Sequence, residues 1–255
     1  MYFDTHVHLN NPRLLSRLPK VLADAKRAKV TRMLVVGYDH ETNEEAIRLS
    51  EAHDELYAAI GYHPVGVEKR TEEDFVRLAK MLSHPKVVAL GECGLDHYHD
   101  KDHKQEQASA FERHIALAKA SALPLVVHMR DAARDTLAIL KKHAPVHGVM
   151  HCYSGSVEMS ADFIDIGMHI SLGGPLTFLN AKTPKAVAEA VPLDKLLIET
   201  DAPYLAPHPH RGKMNHPALV VLVAEALSRI KDIPLESVAE KTTENAMKLF
   251  FQKEL

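Results

Sequence analysis

Eight short apolar or β-branched runs, separated by segments of helical period, constrain the fold of this chain more than any other feature. They cover Tyr2 to His8, Arg32 to Gly37, Leu56 to Gly61, Val87 to Glu92, Leu125 to His128, Gly148 to His151, His169 to Leu172 and Leu196 to Asp201. Runs of this length, rich in Val, Ile and Leu, read as buried strands. Between them, apolar residues recur at three- and four-residue spacing, as in Leu14, Leu18, Val21, Leu22 and Ala25, or Phe75, Leu78, Ala79 and Leu82. That spacing lines one face of a helix. Glu44 to Ala52 and Phe111 to Ala120 carry the same period, and Thr71 ahead of Glu72, Glu73 and Asp74 reads as an N-cap with an acidic first turn. Strands alternating with helices imply a parallel sheet with right-handed crossovers. Eight such units favour closure into a TIM (β/α)8 barrel, an α/β fold, over an open doubly wound sheet. No Gly-x-Gly-x-x-Gly turn follows the first run, which removes the main support for a dinucleotide-binding sheet. Two further helical segments, Ala218 to Arg229 and Ser237 to Phe250, follow the eighth run without a linker. A single domain over residues 1–255 is expected.

Composition narrows the classes of function. The 255 residues suit one such barrel, and no apolar run approaches the ~20 residues needed to cross a bilayer. The chain enters a strand pattern at once, so neither a signal peptide nor a membrane partner is expected, and the reading is a cytoplasmic protein. Its two cysteines, Cys93 and Cys152, read as free core thiols. A net charge of −3 argues against coating nucleic acid by bulk electrostatics. Any recognition of phosphate must be local.

In such barrels the chemistry gathers where the strands end. His6 and His8 close the first run, His63 follows the third, and Glu92 ends the fourth. His128, His151 and Asp201 end the fifth, sixth and eighth. In an extended strand, Asp4, His6 and His8 share one face, opposite Phe3, Thr5 and Val7, so two imidazoles can reach one cation. A lone histidine at a strand end has an ordinary reading as a hydrogen-bonded core residue. A ring of histidines and carboxylates at equivalent positions would be costly to bury unpaired, and divalent metals would satisfy it. The residues divide between two cations: His6, His8 and Asp201 come from adjoining strands, His128 and His151 lie across the mouth, and the two oxygens of Glu92 can serve both. Paired divalent cations suit hydrolysis of a phosphate ester. No Gly-x-Ser-x-Gly elbow is present and Cys152 alternates away from His151, so a covalent serine or cysteine mechanism has little support.

Five ordered motifs closely resemble the TatD-like metal-dependent hydrolase family. They are Asp4-Thr5-His6-Val7-His8, Gly91-Glu92-Cys93-Gly94-Leu95-Asp96, His128-Met129-Arg130-Asp131-Ala132, His151-Cys152-Tyr153-Ser154-Gly155 and Glu199-Thr200-Asp201-Ala202-Pro203-Tyr204-Leu205. The resemblance spans nearly the whole chain, taking in Gly61-Tyr62-His63-Pro64 and Thr242-Thr243-Glu244-Asn245-Ala246. It implies a metal-binding TIM barrel and a DNase with exonuclease-type action, the polarity of cleavage being left open by the residues. It makes His6, His8 and Asp201 ligands of one metal, His128 and His151 ligands of the other, and Glu92 the shared, catalytically essential carboxylate. Asp201 would also take a proton from the attacking water. His63, Arg130 and Lys213 become candidates for holding substrate phosphate, although Arg130 has an equal reading as an ion-pair partner of Asp131 or Asp135. Glu199, on the face of Asp201, either supports a ligand or is itself one. The ligand set suits two divalent cations per subunit, with zinc, manganese and magnesium all admitted.

Two positions depart from the family pattern: His216 stands where an acid is usual, and His97 where an aromatic is common. Both are expected near the mouth. With no Trp and 5% aromatic residues, a long base-stacking platform is not expected, so DNA or another phosphodiester substrate would be gripped at a strand end. Two rival functions are a hydrolase of a cyclic amide, lactone or ester, as in amidohydrolases, and a metal-binding interaction module without catalysis. Glu92, at a position where amidohydrolases often carry a modified lysine, disfavours the first, and the full ligand set disfavours the second.

Overall fold

The computed structural model describes residues 1–251. Its strands are β1 (Tyr2–Val7), β2 (Val30–Val36), β3 (Leu56–Ile60), β4 (Val87–Asp96), β5 (Leu125–Arg130), β6 (Gly148–Met150), β7 (Met168–Leu172) and β8 (Leu196–Ile198). Helices fill the connections: α1 (Pro12–Leu15), α2 (Leu18–Arg27), α3 (His40–Ala52), α4 (Glu72–Met81), α5 (Lys104–Ser121), α6 (Ala133–Lys142), α7 (Val157–Asp165) and α8 (Lys182–Ala190). The chain ends with α9 (Val220–Lys231) and α10 (Leu235–Phe250). Thr71 caps α4 as its sequence requires, accepting from Asp74 N while Asp74 accepts from Thr71 N.

The strands lie side by side in chain order, each parallel to the next. Beyond the end of β8, Val7 bridges Ala202, His8 N donates to Ala202 O at 2.8 Å and Asp201 N donates to His6 O at 2.9 Å. These bonds bring the eighth strand to the first and make the sheet a nearly closed TIM barrel. Strand alternation separates two apolar layers. Phe3, Leu34, Ala59, Ala89, Val126, Val149 and Leu197 form one cluster, while Tyr2, Met33, Val35, Ala58, Leu90, Val127 and Ile170 join the helices in the other. The first cluster is closed, at the end where the strands begin, by Leu249 and Phe250 in the last turn of α10 and by Phe251 just after it, with Phe3 and Phe250 rings 5.9 Å apart. Polar groups are thereby left to the opposite end. Among the described residues no helix is long and apolar enough to cross a membrane.

One detail of β1 departs from simple alternation. Its register against β2 slips between Asp4 and Val7, so Asp4 does not share the site with His6 and His8. The Asp4 carboxylate instead accepts from Thr200 N at 2.9 Å and Thr200 Oγ1 at 2.6 Å, tying β1 to the segment after β8. Burial, outweighing these hydrogen bonds, raises its pKa to about 8.

Candidate metal centre

Glycine places the central carboxylate. Gly91 has φ 153°, and a Cβ there would meet Val126 O at 2.4 Å; Gly94 has φ 136°, and a Cβ would meet His128 O at 2.1 Å. Only glycine lets β4 press this closely on β5, and the register slips between Leu90 and Cys93. Glu92 sits inside that slip and is turned into the barrel mouth. Asp201 is placed by a different device. It has φ 56°, a left-handed conformation that a side chain other than Gly adopts at a cost. The turn is held by Asp201 N to His6 O and by Asn215, whose Nδ2 donates to Thr200 O at 2.7 Å and to Tyr204 O at 2.6 Å.

The mouth gathers His6, His8, Glu92, His128, His151 and Asp201 around one carboxylate. Oε2 of Glu92 faces His6 Nε2 at 3.5 Å and His8 Nε2 at 3.8 Å. Those two nitrogens are 3.3 Å apart, and Asp201 Oδ1 lies 3.3 Å from His8 Nε2 and 3.8 Å from His6 Nε2. Oε1 of Glu92 faces the other way, 2.8 Å from His128 Nδ1 and 3.1 Å from His151 Nε2. The His6 and His151 rings stack with centroids 3.9 Å apart.

The outer ring nitrogens are fixed from behind. His8 Nδ1 donates to Val36 O at 2.9 Å, His151 Nδ1 lies 3.1 Å from Glu199 Oε1, and His128 Nε2 lies 3.0 Å from Asp96 Oδ2. Each bond leaves the other nitrogen of its ring facing Glu92, the arrangement by which metal-ligating histidines are oriented. His6 Nδ1 and Glu199 Oε2 are buried and find no hydrogen-bond partner among the described residues.

Charges follow from this packing. Burial alone would raise Glu92, but His151, His63 and His128 outweigh it and hold the carboxyl well below the usual range. Burial disfavours a charged His151, yet Glu92 and Glu199 pull its pKa well above the ordinary value. His6 is lowered by burial and by His151, whereas His8 is raised by Asp201 against the pull of burial. Asp201 is lowered because its hydrogen bond with His8 and the nearby imidazoles outweigh burial.

These residues fit divalent cations. In a tetrahedral site with bonds of ~2.1 Å the donor atoms stand roughly 3.4 Å apart, and the spacings of 3.3–3.8 Å among His6, His8, Glu92 and Asp201 lie on that scale. Donor atoms of His6, His8 and Glu92 fall within 4.8 Å of one another, as do those of His63, Glu92 and His128 and those of His6, His151 and Glu199. These nearly buried imidazoles and carboxylates, with His6 Nδ1 and Glu199 Oε2 left without a hydrogen-bond partner among the described residues, form a donor set that a cation would satisfy.

Several residues stand elsewhere than their sequence suggests. His63 lies 3.6 Å from Glu92 Oε1, among the donors rather than outside them; burial lowers its pKa to about 4. Arg130 pairs with neither Asp131 nor Asp135 but rests over the Tyr98 ring at 4.9 Å. Asp135 is taken by His97 instead, at 3.6 Å, and His97 is buried rather than open to the mouth. His216 accepts from Ala218 N and faces Asp24 of α2 at 3.6 Å, so its departure from the family pattern serves the frame and not the site. Lys213 is exposed on the loop after β8. Asp96 was not singled out from sequence. Its signal was parity: Glu92, Gly94 and Asp96 alternate along β4.

A family model described as "TatD related DNase" matches residues 3–251. The chain is 46% identical over 252 residues to "Uncharacterized metal-dependent hydrolase YabD" of Bacillus subtilis (strain 168), covering 98% of this chain and 99% of that protein. It is 38% identical over 257 residues to "Uncharacterized metal-dependent hydrolase YcfH" of Escherichia coli (strain K12), covering 97% and 94%. Among solved structures, the TatD homolog YJJV from Escherichia coli K12 superposes with a TM-score of 0.94 at 31% identity, covering 98% of this chain and 97% of that one. With the barrel, the donor cluster and these relatives in agreement, the chain belongs to the TatD-related DNase family of metal-dependent hydrolases.

Proposed function

We propose that this protein is a phosphodiesterase that cleaves DNA or a related nucleic acid from a strand end. The observation that carries the reading is Glu92, whose Oε2 faces His6 and His8 while its Oε1 faces His128 and His151. His6, His8 and Asp201 would hold one divalent cation, His128 and His151 a second, and Glu92 offers an oxygen to each. Such a pair, of zinc, manganese or magnesium, polarises a phosphoryl oxygen, lowers the pKa of water and neutralises the leaving oxygen. Asp201 is ionised and sits at the rim of the donors, so it receives the proton of the attacking water. Asp96 and Glu199 hold the His128 and His151 rings from behind, keeping the reacting geometry fixed. The donors are recessed, with His6 fully buried and Glu92 4% exposed. That recess favours a strand end over the middle of a stiff duplex.

The test uses purified protein of measured metal content, offered single-stranded DNA, RNA and a panel of small lactones and amides. Glu92→Ala and Asp201→Ala variants are run beside it. Metal-dependent cleavage of the nucleic acids, lost in both variants, is the expected result. Cleavage confined to the small-molecule panel would replace this reading with an amidohydrolase one. Undiminished DNA cleavage in both variants would remove the assigned residues from the chemistry.

A further inference from the structure

Three arginines at the barrel mouth rest on aromatic rings: Arg70 over Tyr62 at 5.0 Å, Arg130 over Tyr98 at 4.9 Å and Arg211 over Phe178 at 4.5 Å. Arg113, on an outer helix, also sits over a ring but pairs with Glu72 at 2.7 Å. None of the three mouth arginines forms an ion pair among the described residues. Stacking of this kind orients a guanidinium while leaving its fork of N–H groups free.

Arg70 opens onto a cavity of about 430 Å³ that it shares with Tyr38, Asp39, His63 and His99. The cavity adjoins the metal centre through His63. That ring accepts from Val65 N by Nδ1 at 3.1 Å, and its Nε2 is 3.6 Å from Glu92 Oε1. His99 is tied by Nδ1 to Asp96 Oδ2 at 2.8 Å, and Asp96 also holds His128. The one carboxylate on the wall, Asp39, is engaged in capping α3, accepting from Thr42 N at 2.8 Å and Thr42 Oγ1 at 2.6 Å. The ring beneath Arg70 is itself fixed, since Tyr62 is buried and its hydroxyl donates to Asp74 O at 2.9 Å. A free, pre-oriented guanidinium therefore faces a hollow beside the candidate catalytic carboxylate.

We propose that this cavity is an anion subsite that receives the phosphate adjoining the scissile one, with Arg70 binding it through its paired N–H groups. The proposal rests on the phosphodiesterase reading and adds to it the side of the mouth along which the rest of the substrate lies. Arg70 is then a specificity-determining residue, acting on substrates that carry a second phosphate and silent on those that do not.

The test compares wild type, Arg70→Ala and Arg70→Lys, each manganese-loaded. Substrates are dinucleotides with a terminal phosphate at one end or the other, the same dinucleotide without terminal phosphates, and bis(p-nitrophenyl) phosphate. Arg70→Ala should raise KM about tenfold or more for one of the phosphorylated dinucleotides, with kcat nearly unchanged, and leave the two other substrate types unaffected. Arg70→Lys should recover part of the loss, since it restores charge without the fork. Equal losses on every substrate, or none on any, would overturn the proposal. Calorimetric titration of the same proteins with thymidine 3′,5′-bisphosphate and the two thymidine monophosphates reads the subsite without turnover. The preference for the bisphosphate should vanish in Arg70→Ala, and its persistence would also overturn the proposal. A wild-type protein that cleaves no phosphodiester would defeat the phosphodiesterase reading, while the titration still decides the cavity.

Discussion

Asp96 Oδ2 stands 3.0 Å from Nε2 of His128, on the side of the ring away from Glu92, whose Oε1 is 2.8 Å from Nδ1. Asp96 is fully buried and also accepts from the backbone N–H groups of Tyr98 and His99. It is therefore a fixed brace, and it sets which nitrogen of His128 faces Glu92. Partners of this kind typically contribute 10–100-fold to metal affinity. Asp96→Asn should weaken one of two metal-binding events by about that factor and leave the other near wild type. Titration with zinc or manganese, followed by calorimetry, reads the two events separately. Equal weakening of both would assign Asp96 to the frame and not to His128.

Metal removal should show the same centre through stability. A cation that binds only the folded chain stabilises it by about 2.7 kcal/mol at a hundred times its Kd. For a chain of this length each kcal/mol moves Tm by about 2–4 °C. Chelator-treated protein should therefore gain several degrees of Tm on adding zinc or manganese, and Glu92→Ala should gain little, having lost an oxygen from both donor groups. A Tm that rises equally in both proteins would place the stabilising metal elsewhere.

How far this centre was legible in the sequence depends on what fixes each residue. The strand runs are apolar because they are buried on both faces, and the polar residue ending each run stands out against them; that contrast exposed His6, His8, Glu92, His128, His151 and Asp201. Contacts made by tertiary packing left no such mark. The slip in β1 that sends Asp4 to Thr200 is invisible to a rule of alternation. Asp201 lies past the last paired residue of β8, at φ 56°, so its placement depends on a turn and on Asn215 rather than on strand parity. Arg130 has two acids close by in the sequence, yet it rests over the ring of Tyr98 while Asp135 faces His97, a choice that only tertiary packing makes.

The opposite end of the barrel predicts a separation of stability from function. Phe250 is 5% exposed and closes the strand-start end against Phe3. Removing a buried phenylalanine leaves a cavity and typically costs about 3–5 kcal/mol. Phe250→Ala should lower the denaturant midpoint accordingly while metal content and kcat stay near wild type, since chemistry in such barrels sits at the other end. A large fall in kcat at full metal occupancy would contradict that division.

His114 links the frame to pH. It lies on α5, 1% exposed, and its Nδ1 donates to Ala110 O at 2.7 Å while Nε2 accepts from Tyr62 N at 3.1 Å. Both bonds need the neutral ring. Burial, which outweighs the hydrogen bond to Ala110 and is aided by nearby Arg113, lowers its pKa to about 4. In the unfolded chain the ring titrates near 6.5, so between pH 6.5 and 4 the unfolded state binds the extra proton. The contribution of His114 is complete above pH 6.5 and is lost as pH falls through that window, at up to about 1.4 kcal/mol per pH unit. Denaturant unfolding of chelator-treated protein at several pH values should show this slope. His114→Gln keeps a donor and an acceptor but cannot titrate, so its slope should be shallower by one proton's worth. A slope identical to wild type would mean that the ring reaches solvent before the fold opens.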